Sequence, residues 1–381
     1  MKLRYYNNMV LPLFKSHLAV GKRVIVRVDF NVPLTEDGMI SDDFRIMRTL
    51  PLLRDVVKRA GHVVLLSHLT EKKEHRSFDV LIKELKRVTG FDIVLAYTVT
   101  EALAFEKANP KHVVLLENLR SFPGEMDNSE AFADDLATLA DIYINEDFSQ
   151  SHRPYASIVT LPHRIPSYAG PLFNEEVTKL KEVFEPARPF MVIMGGVKFK
   201  TKVNVLDQFI EKADLIFIGG ALANTFLAAA GHSTGASPIE TDAIPDIQKK
   251  YLNKNNIVFP CDVEVDSHEI VSLDGVDDDD FIYDIGPDTL SYLKEQVNAM
   301  GMVLWNGPLG FVEKGFSKGT EDLLTVLLAC KAHVIIGGGD TIAILRGHDW
   351  ENKFYHVSTG GGAMLEFLAT GTLPGITALE K

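Results

Sequence analysis

Nine times along this chain a short run rich in Val, Ile and Leu stops on polar residues or glycine. Four runs fall in the first half: RVIVRVDF (Arg23–Phe30), HVVLLSHL (His62–Leu69), HVVLLENL (His112–Leu119) and DIYINEDF (Asp141–Phe148). Five follow in the second: PFMVIMGG, ADLIFIGG, GMVLWNGP, HVIIGGGD and FYHVSTGGG. Helical stretches separate the runs, as in FRIMRTLPLLRDVVKRAG, where Gly61 is the expected C-cap. Strands that alternate with helices require parallel sheets covered on both faces, so an α/β fold is expected. In such sheets ligands bind beyond the carboxyl ends of the strands, which is where polar residues and glycines gather here.

A chain of 381 residues exceeds what one core usually covers, so two domains are expected. Between the halves lies PSYAGPLFNEEVTKLKEVFEPARPF, Pro166 to Phe190, whose charged centre reads as one connecting helix. A helical connector predicts two bodies able to hinge across a cleft. Cys261 and Cys330 lack metal-ligand or redox spacing and read as small buried residues of a cytoplasmic protein. The apolar stretch Leu215–Gly231 is interrupted by paired glycines, Asn224 and Thr225, and predicts strand–turn–helix rather than a membrane span. A net charge of −13 argues against nucleic-acid or anionic-membrane partners.

The charge is unevenly spread. Residues 1–184 carry 24 Lys+Arg against 25 Asp+Glu, and residues 185–381 carry 15 against 27. Arginine alone divides 12 to 2. Guanidinium groups grip carboxylate and phosphate with a rigid fork of donors. The first half is therefore expected to hold an anionic small molecule by side chains, and the second to hold phosphate by backbone amides, lysine and metal. Candidate ligands in the first half, read as lying at strand ends, are Asp29, Asn31, Arg45, His68, Arg120, His152 and Arg153. The second half offers glycine turns: MGGVKFKTK, IGGALANTF, DIGPDT, WNGPLGFVE, GGGDT and STGGGA. Neither G-x-x-x-x-G-K-[ST] nor G-x-G-x-x-G occurs. Three glycines opening a helix, as in STGGGAMLEFL, present free amides to an anion.

The strings GKRVIVRVDFNVPL, DDFRI, SHL, LLENLR, RPFMVIMGGVK, WNGPLGFVE, GGGDT and HVSTGGGAMLEFL, in this order, resemble the phosphoglycerate kinase family over essentially the whole chain. The resemblance implies two Rossmann-like domains, each a parallel sheet flanked by helices, with the substrate cleft between them. The expected division is 1–170, a linker helix over 171–187, and 188–366, with the tail from about 367 to 381 packing back on the first domain. It implies reversible phosphoryl transfer between 1,3-bisphosphoglycerate and MgADP, giving 3-phosphoglycerate and MgATP, in a cytoplasmic monomer. Asp29, Asn31, Arg45, His68, Arg120 and Arg153 would hold the glycerate ligand. Lys202, Gly220, Gly286, Asn306, Glu313, Gly338, Gly339, Asp340 and Thr341 would hold the nucleotide, with Glu313 on the ribose and Asp340 on Mg²⁺. Arg45, Lys198, Gly339 and Gly361 would act on the transferring group.

Several departures fall close to this chemistry. The family's SHLGRP reads SHLTEKK here, placing Glu71 where an arginine belongs; Lys72, Lys73 or Arg76 would have to supply the charge. The family's GGAK-x-x-D-K becomes GGVKFKTK, with Thr201 for aspartate; NDAFG becomes NEDFS at Asn145–Ser149; and a glycine after IGG becomes Ala221. An alternative expectation is thus a non-catalytic or weakened relative that keeps the nucleotide site for a regulatory or partner-binding role.

Overall fold

The computed structural model describes residues 10–35, 37–70, 77–109, 111–346, 348 and 350–380. The chain divides into two compact units, Met1–Thr178 with Gly371–Lys381, and Lys179–Thr370. The division falls inside the helix Pro171–Glu182.

The first unit holds six parallel strands: β1 (Arg23–Arg27), β2 (His62–Leu66), β3 (Ile93–Ala96), β4 (Val113–Leu116), β5 (Ile142–Asn145) and β6 (Ser167–Ala169). Their order is β3-β4-β2-β1-β5-β6. Successive side chains along each strand go to opposite faces. Val24, Val26, Val63, Leu65, Val113, Leu115, Ile142 and Ile144 join one buried cluster, while Ile25, Val64, Leu66, Val114, Leu116 and Tyr143 join another. The unbroken apolar runs in the sequence reflect this burial on both faces.

The second unit repeats the plan with β7 (Phe190–Met194), β8 (Leu215–Ile218), β9 (Ile257–Val258), β13 (Met302–Asn306), β14 (His333–Gly337) and β15 (His356–Val357). Here the order is β15-β14-β13-β7-β8-β9, again all parallel. Inserted before β13 is a small antiparallel sheet of β10 (Asp262–Val265), β11 (Ile270–Ser272) and β12 (Ile282–Ile285). Leu215–Gly231 is strand, glycine turn and helix, as the interrupted pattern predicted.

Two local expectations need correction. The helix Phe44–Arg59 ends on Ala60 in extended conformation, so Gly61 is not its left-handed cap. Gly61 is small for another reason: a Cβ there would stand 3.0 Å from the Gly21 carbonyl oxygen. Cys261 is exposed and Cys330 half-buried, so neither is a core residue. Among the described residues no helix is long and apolar enough to cross a membrane.

After the second unit the chain returns to the first. The helix Pro374–Leu379 belongs to it, and the Gly375 amide donates to the Ser151 carbonyl at 2.8 Å. A side chain at Gly375 would collide with Ser151 Cβ at 2.8 Å and Ile158 Cγ2 at 2.9 Å.

Candidate active site

In the first unit the carboxyl ends of four neighbouring strands, β4, β2, β1 and β5, deliver polar residues to one sheet edge. Asp29 and Asn31 follow β1, His68 and Thr70 follow β2, Arg120 follows β4, and Asp147 to Arg153 follow β5. Arg45 does not come from a strand end. It is the second residue of the helix Phe44–Arg59, whose start brings the guanidinium back over β1's exit.

These residues form a closed circuit. Arg45 Nη1 donates to Asp29 Oδ2 at 2.9 Å and to the Asn31 carbonyl at 3.2 Å. The Asn31 amide donates to Asp29 Oδ1 at 3.1 Å, and Asn31 Oδ1 accepts from the Thr70 amide at 3.0 Å. Arg120 donates through Nη1 to the Thr70 hydroxyl and through Nη2 to Gln150 Oε1 at 3.0 Å. The Gln150 amide donates to Asp147 Oδ1 at 3.1 Å. Ser149 Oγ closes the ring, lying 2.7 Å from both Asp147 Oδ1 and Asp29 Oδ2.

Beneath the ring lies Arg27, 1 % exposed although it stands inside an apolar run. It pairs with Asp147 Oδ2 at 3.2 Å and donates to Ser157 Oγ at 3.2 Å, whose hydroxyl donates to Glu125 Oε1 at 2.6 Å. A buried guanidinium is tolerable only when acceptors meet its donors, and Arg27 also donates to the Val28 and Leu66 carbonyls. His68 Nδ1 lies 4.0 Å from Asp147 Oδ2. Burial first, then the charges of Arg27, Arg120 and Arg45, hold the His68 imidazole well below its ordinary basicity. Half-buried His152 is lowered to about 4 by burial and by Arg153 and Arg120. Arg153 itself is exposed. Both His68 nitrogens, His152 Nδ1 and Arg120 Nε are buried without hydrogen-bond partners. Neutral imidazoles beside guanidinium charge can offer an anion both N–H donors and positive potential.

The second unit gathers a different kit along β15, β14, β13, β7 and β8. Asn306 ends β13 in register with Gly337 of β14 and Met194 of β7. Its Oδ1 accepts from Lys202 Nζ at 2.7 Å, while its Nδ2 is buried and unpartnered. Burial lowers Lys202 to about 8 against the opposing pull of the Asp340 carboxylate. The Thr341 hydroxyl is fully buried and has no partner.

The glycines here are dictated by backbone approach. At Gly220 (φ +60°) a Cβ would lie 2.6 Å from the Gly196 nitrogen and 2.7 Å from the Pro308 oxygen. At Gly338 (φ +102°) it would crowd the Gly307 nitrogen at 3.2 Å. Gly339 and Gly361, by contrast, would meet nothing within 4 Å, and they open the helices Gly339–Arg346 and Gly362–Thr370 onto free space. Helix starts bared in this way present amide donors to an anion. Lys198 is exposed and precedes a turn in which the Thr201 hydroxyl donates to the Lys198 carbonyl at 2.9 Å.

Gly286 and Glu313 are placed differently from the phosphate-edge group. Gly286 is the N-cap of the helix Pro287–Asn298, packed so tightly on Asp262 that a Cβ would stand 2.2 Å from Oδ2. Glu313 is exposed in the turn Val312–Lys314. Gly220, Leu309 and Tyr283 line one small cavity with Asn224, whose buried carboxamide has no partner at either end. Among the described residues no group of three or more His, Cys, Asp or Glu is placed to hold a metal ion. Asp340 stands alone and exposed in the first turn of its helix. A single carboxylate beside bared helix-start amides suits Mg²⁺, which commonly takes one or two protein oxygens plus phosphate and water. Glu71, Lys72, Lys73 and Arg76 lie outside the described residues.

Sequence reasoning missed Arg27, Thr70, Asp147, Ser149 and Gln150 as site members. A charged residue inside an apolar strand was the available signal for Arg27.

The sequence model of the phosphoglycerate kinase family matches residues 15–371. The phosphoglycerate kinase of Moorella thermoacetica is 38% identical over 95% of this chain and 97% of its own. That of Streptomyces avermitilis is 39% identical over 94% and 96%. Among solved structures, phosphoglycerate kinase from Coxiella burnetii superposes with a TM-score of 0.80 at 32% identity, covering 95% of this chain and 96% of that one. The Pyrococcus horikoshii enzyme gives 0.84 at 25% identity with the same coverage. With its two parallel sheets, an arginine-bound edge on one and a glycine-amide edge on the other, the chain belongs to the phosphoglycerate kinase family.

Proposed function

We propose that this phosphotransferase moves a phosphoryl group reversibly and in line between the carboxylate of 3-phosphoglycerate and the β-phosphate of ADP, as in glycolysis. Both acceptors are already ionised, so no protein nucleophile or general base is needed. Catalysis reduces to alignment and to neutralising charge on the moving group. The observation carrying this reading is the circuit around Arg45 and Arg120, which leaves guanidinium and imidazole donors unspent at one sheet edge.

In this reading Asp29, Asn31, His68, Arg120 and Arg153 hold the phosphoglycerate, and Arg45 and Lys198 reach the transferring group. Lys202, Asn306, Thr341 and the amides of Gly338, Gly339 and Gly361 hold nucleotide phosphates, while Gly220, Gly286 and Glu313 serve the nucleoside. Asp340 would hold Mg²⁺, which when bound neutralises the diphosphate and stabilises its leaving oxygen. An acyl phosphate survives only if water is excluded, so the transfer needs a site closed to solvent. We place the enzyme in the cytoplasm as a monomer. Among the described residues nothing in either sheet edge favours a non-catalytic relative.

The test is turnover. The purified protein is expected to form ADP from MgATP only when 3-phosphoglycerate is present, and to stop in excess EDTA. Equal ATPase activity without the acid, or undiminished turnover in chelator, would overturn the assignment.

A further inference from the structure

Asp147 and Ser149 are both departures from the family's NDAFG, and they stand together in the circuit. A serine hydroxyl has one proton to give. Ser149 Oγ nevertheless lies 2.7 Å from a carboxyl oxygen on each side, Asp29 Oδ2 and Asp147 Oδ1. Two ionised carboxylates cannot both be hydrogen-bonded to one hydroxyl. The contacts are satisfied together when one carboxyl keeps its proton, donates it to Oγ, and lets Oγ–H donate to the other.

The surroundings say which one. Each carboxyl accepts a loop amide and faces a guanidinium, but only Asp29 is hydrogen-bonded by its arginine, while Asp147 Oδ2 has no hydrogen-bond partner; Asp29 is therefore the carboxylate that receives the hydroxyl proton. Asp147 is 1 % exposed, and burial, reinforced by the neighbouring Asp29 charge, raises its carboxyl despite Arg27 at 3.2 Å. Among the described residues, the other charged or titratable groups facing the pair are His68, kept neutral, Tyr143, His152, Arg120 through Gln150, and Glu125 behind Arg27.

We propose that Asp147 and Ser149 are positioning residues for the substrate arginines. A proton held on Asp147 continues through the Ser149 hydroxyl as a hydrogen-bond chain that fixes the Asp29 carboxylate and so holds Arg45. Asp147 Oδ1 also accepts the Gln150 amide, and the Gln150 carboxamide holds Arg120. One short loop thereby sets two guanidinium groups that stand 75 positions apart in the chain. It also supplies what a glycine and an alanine at these places cannot, a side-chain brace.

The kinetic part of this inference rests on the phosphoglycerate reading; the proton chain does not. Two measurements on the full-length protein separate them. The first follows the aspartate carboxyl resonances by ¹³C NMR against pH in the parent and in Ser149→Ala. The hydroxyl accepts the Asp147 proton, so removing it takes one more hydrogen bond from the protonated state than from the ionised one, and the Asp147 step is expected to move to lower pH by half a unit or more in the variant. An unmoved step, or one moved to higher pH, overturns the proton chain, whatever the protein's substrate is.

The second measures kcat/KM for 3-phosphoglycerate and for MgATP in the parent, Ser149→Ala and Ser149→Thr. Ser149→Ala is expected to lose about tenfold in kcat/KM for the acid with KM for MgATP unchanged, and Ser149→Thr to recover most of the loss. Parental kinetics in Ser149→Ala, or a loss shared equally by both substrates together with a lowered unfolding temperature, overturns the positioning role. A parent that does not turn over 3-phosphoglycerate overturns the functional reading, and the carboxyl titration still decides the chain.

Discussion

Arg45 and Arg120 are tethered differently, and the difference predicts different kinetic roles. Arg45 is anchored at a single nitrogen, Nη1, and its side chain is 34 % exposed, which leaves the rest of the fork for a ligand. Arg120 is tied at both terminal nitrogens, to Thr70 and Gln150, which makes it a fixed wall of the site. A contact made chiefly in the transition state costs kcat when lost, whereas a ground-state contact costs KM. Arg45→Ala is therefore expected to lower kcat by about 10²-fold, and Arg120→Ala to raise KM for 3-phosphoglycerate with kcat within a few-fold. If steady-state kinetics show only KM effects in both, Arg45 does not reach the transferring group. Both arginines were legible in the sequence because each sits among other polar residues beside an apolar run. Their tethers were not: Ser149 meets Asp29 across 120 positions, and no local pattern encodes a partner that distant.

At the scale of elements, long apolar runs ending on polar residues announced nine strands, since burial on both faces leaves an unmistakable stretch. The elements that escaped are short or only partly apolar. β3 packs half-buried residues, β6 spans three residues inside what read as linker, and β10–β12 alternate polar and apolar positions as an antiparallel sheet does. β6 leads directly into the helix Pro171–Glu182, whose first turn is met by Glu146. Glu146 Oε2 accepts the Leu172 amide at 3.1 Å, and a side chain on Gly170 would collide with the same oxygen at 2.0 Å. Burial raises this carboxyl to about 8, although the amides of Leu172 and Phe173 pull it down. The folded chain thus keeps a proton that an unfolded glutamate releases near pH 4.3. Stability from this group is fully present below that value and is lost as pH rises through about 8. Thermal unfolding of the parent is therefore expected to lose ground to Glu146→Gln between pH 5 and 8.5, by several degrees across the range. Parallel pH profiles for the two proteins would show that Glu146 is ionised in the fold.

The whole molecule divides its labour by chemistry, and the sequence carries that division openly in its 12-to-2 split of arginine. One sheet edge gathers side-chain charges, several of them partly exposed. The other offers backbone amides at helix starts, one exposed lysine, one buried lysine and the exposed carboxylate of Asp340. Charges acting over several ångströms through partly exposed guanidinium groups are screened once the Debye length shrinks to their separation, about 10 Å at 0.1 M salt and about 3 Å at 1 M. Amide donors, and an Mg²⁺ held by Asp340, would act on phosphate at bonding distance and be screened less. The chain's net charge of −13 adds a repulsion that salt relieves for both substrates alike. Raising sodium chloride from about 0.02 to 0.3 M is therefore expected to raise KM for 3-phosphoglycerate severalfold more than KM for MgATP, at constant free Mg²⁺. Arg120→Ala should flatten the first response and leave the second untouched, because it removes one of the screened charges. Equal salt responses for the two substrates, or a steeper one for MgATP, would show that the arginine-rich edge is not where the phosphoglycerate is held.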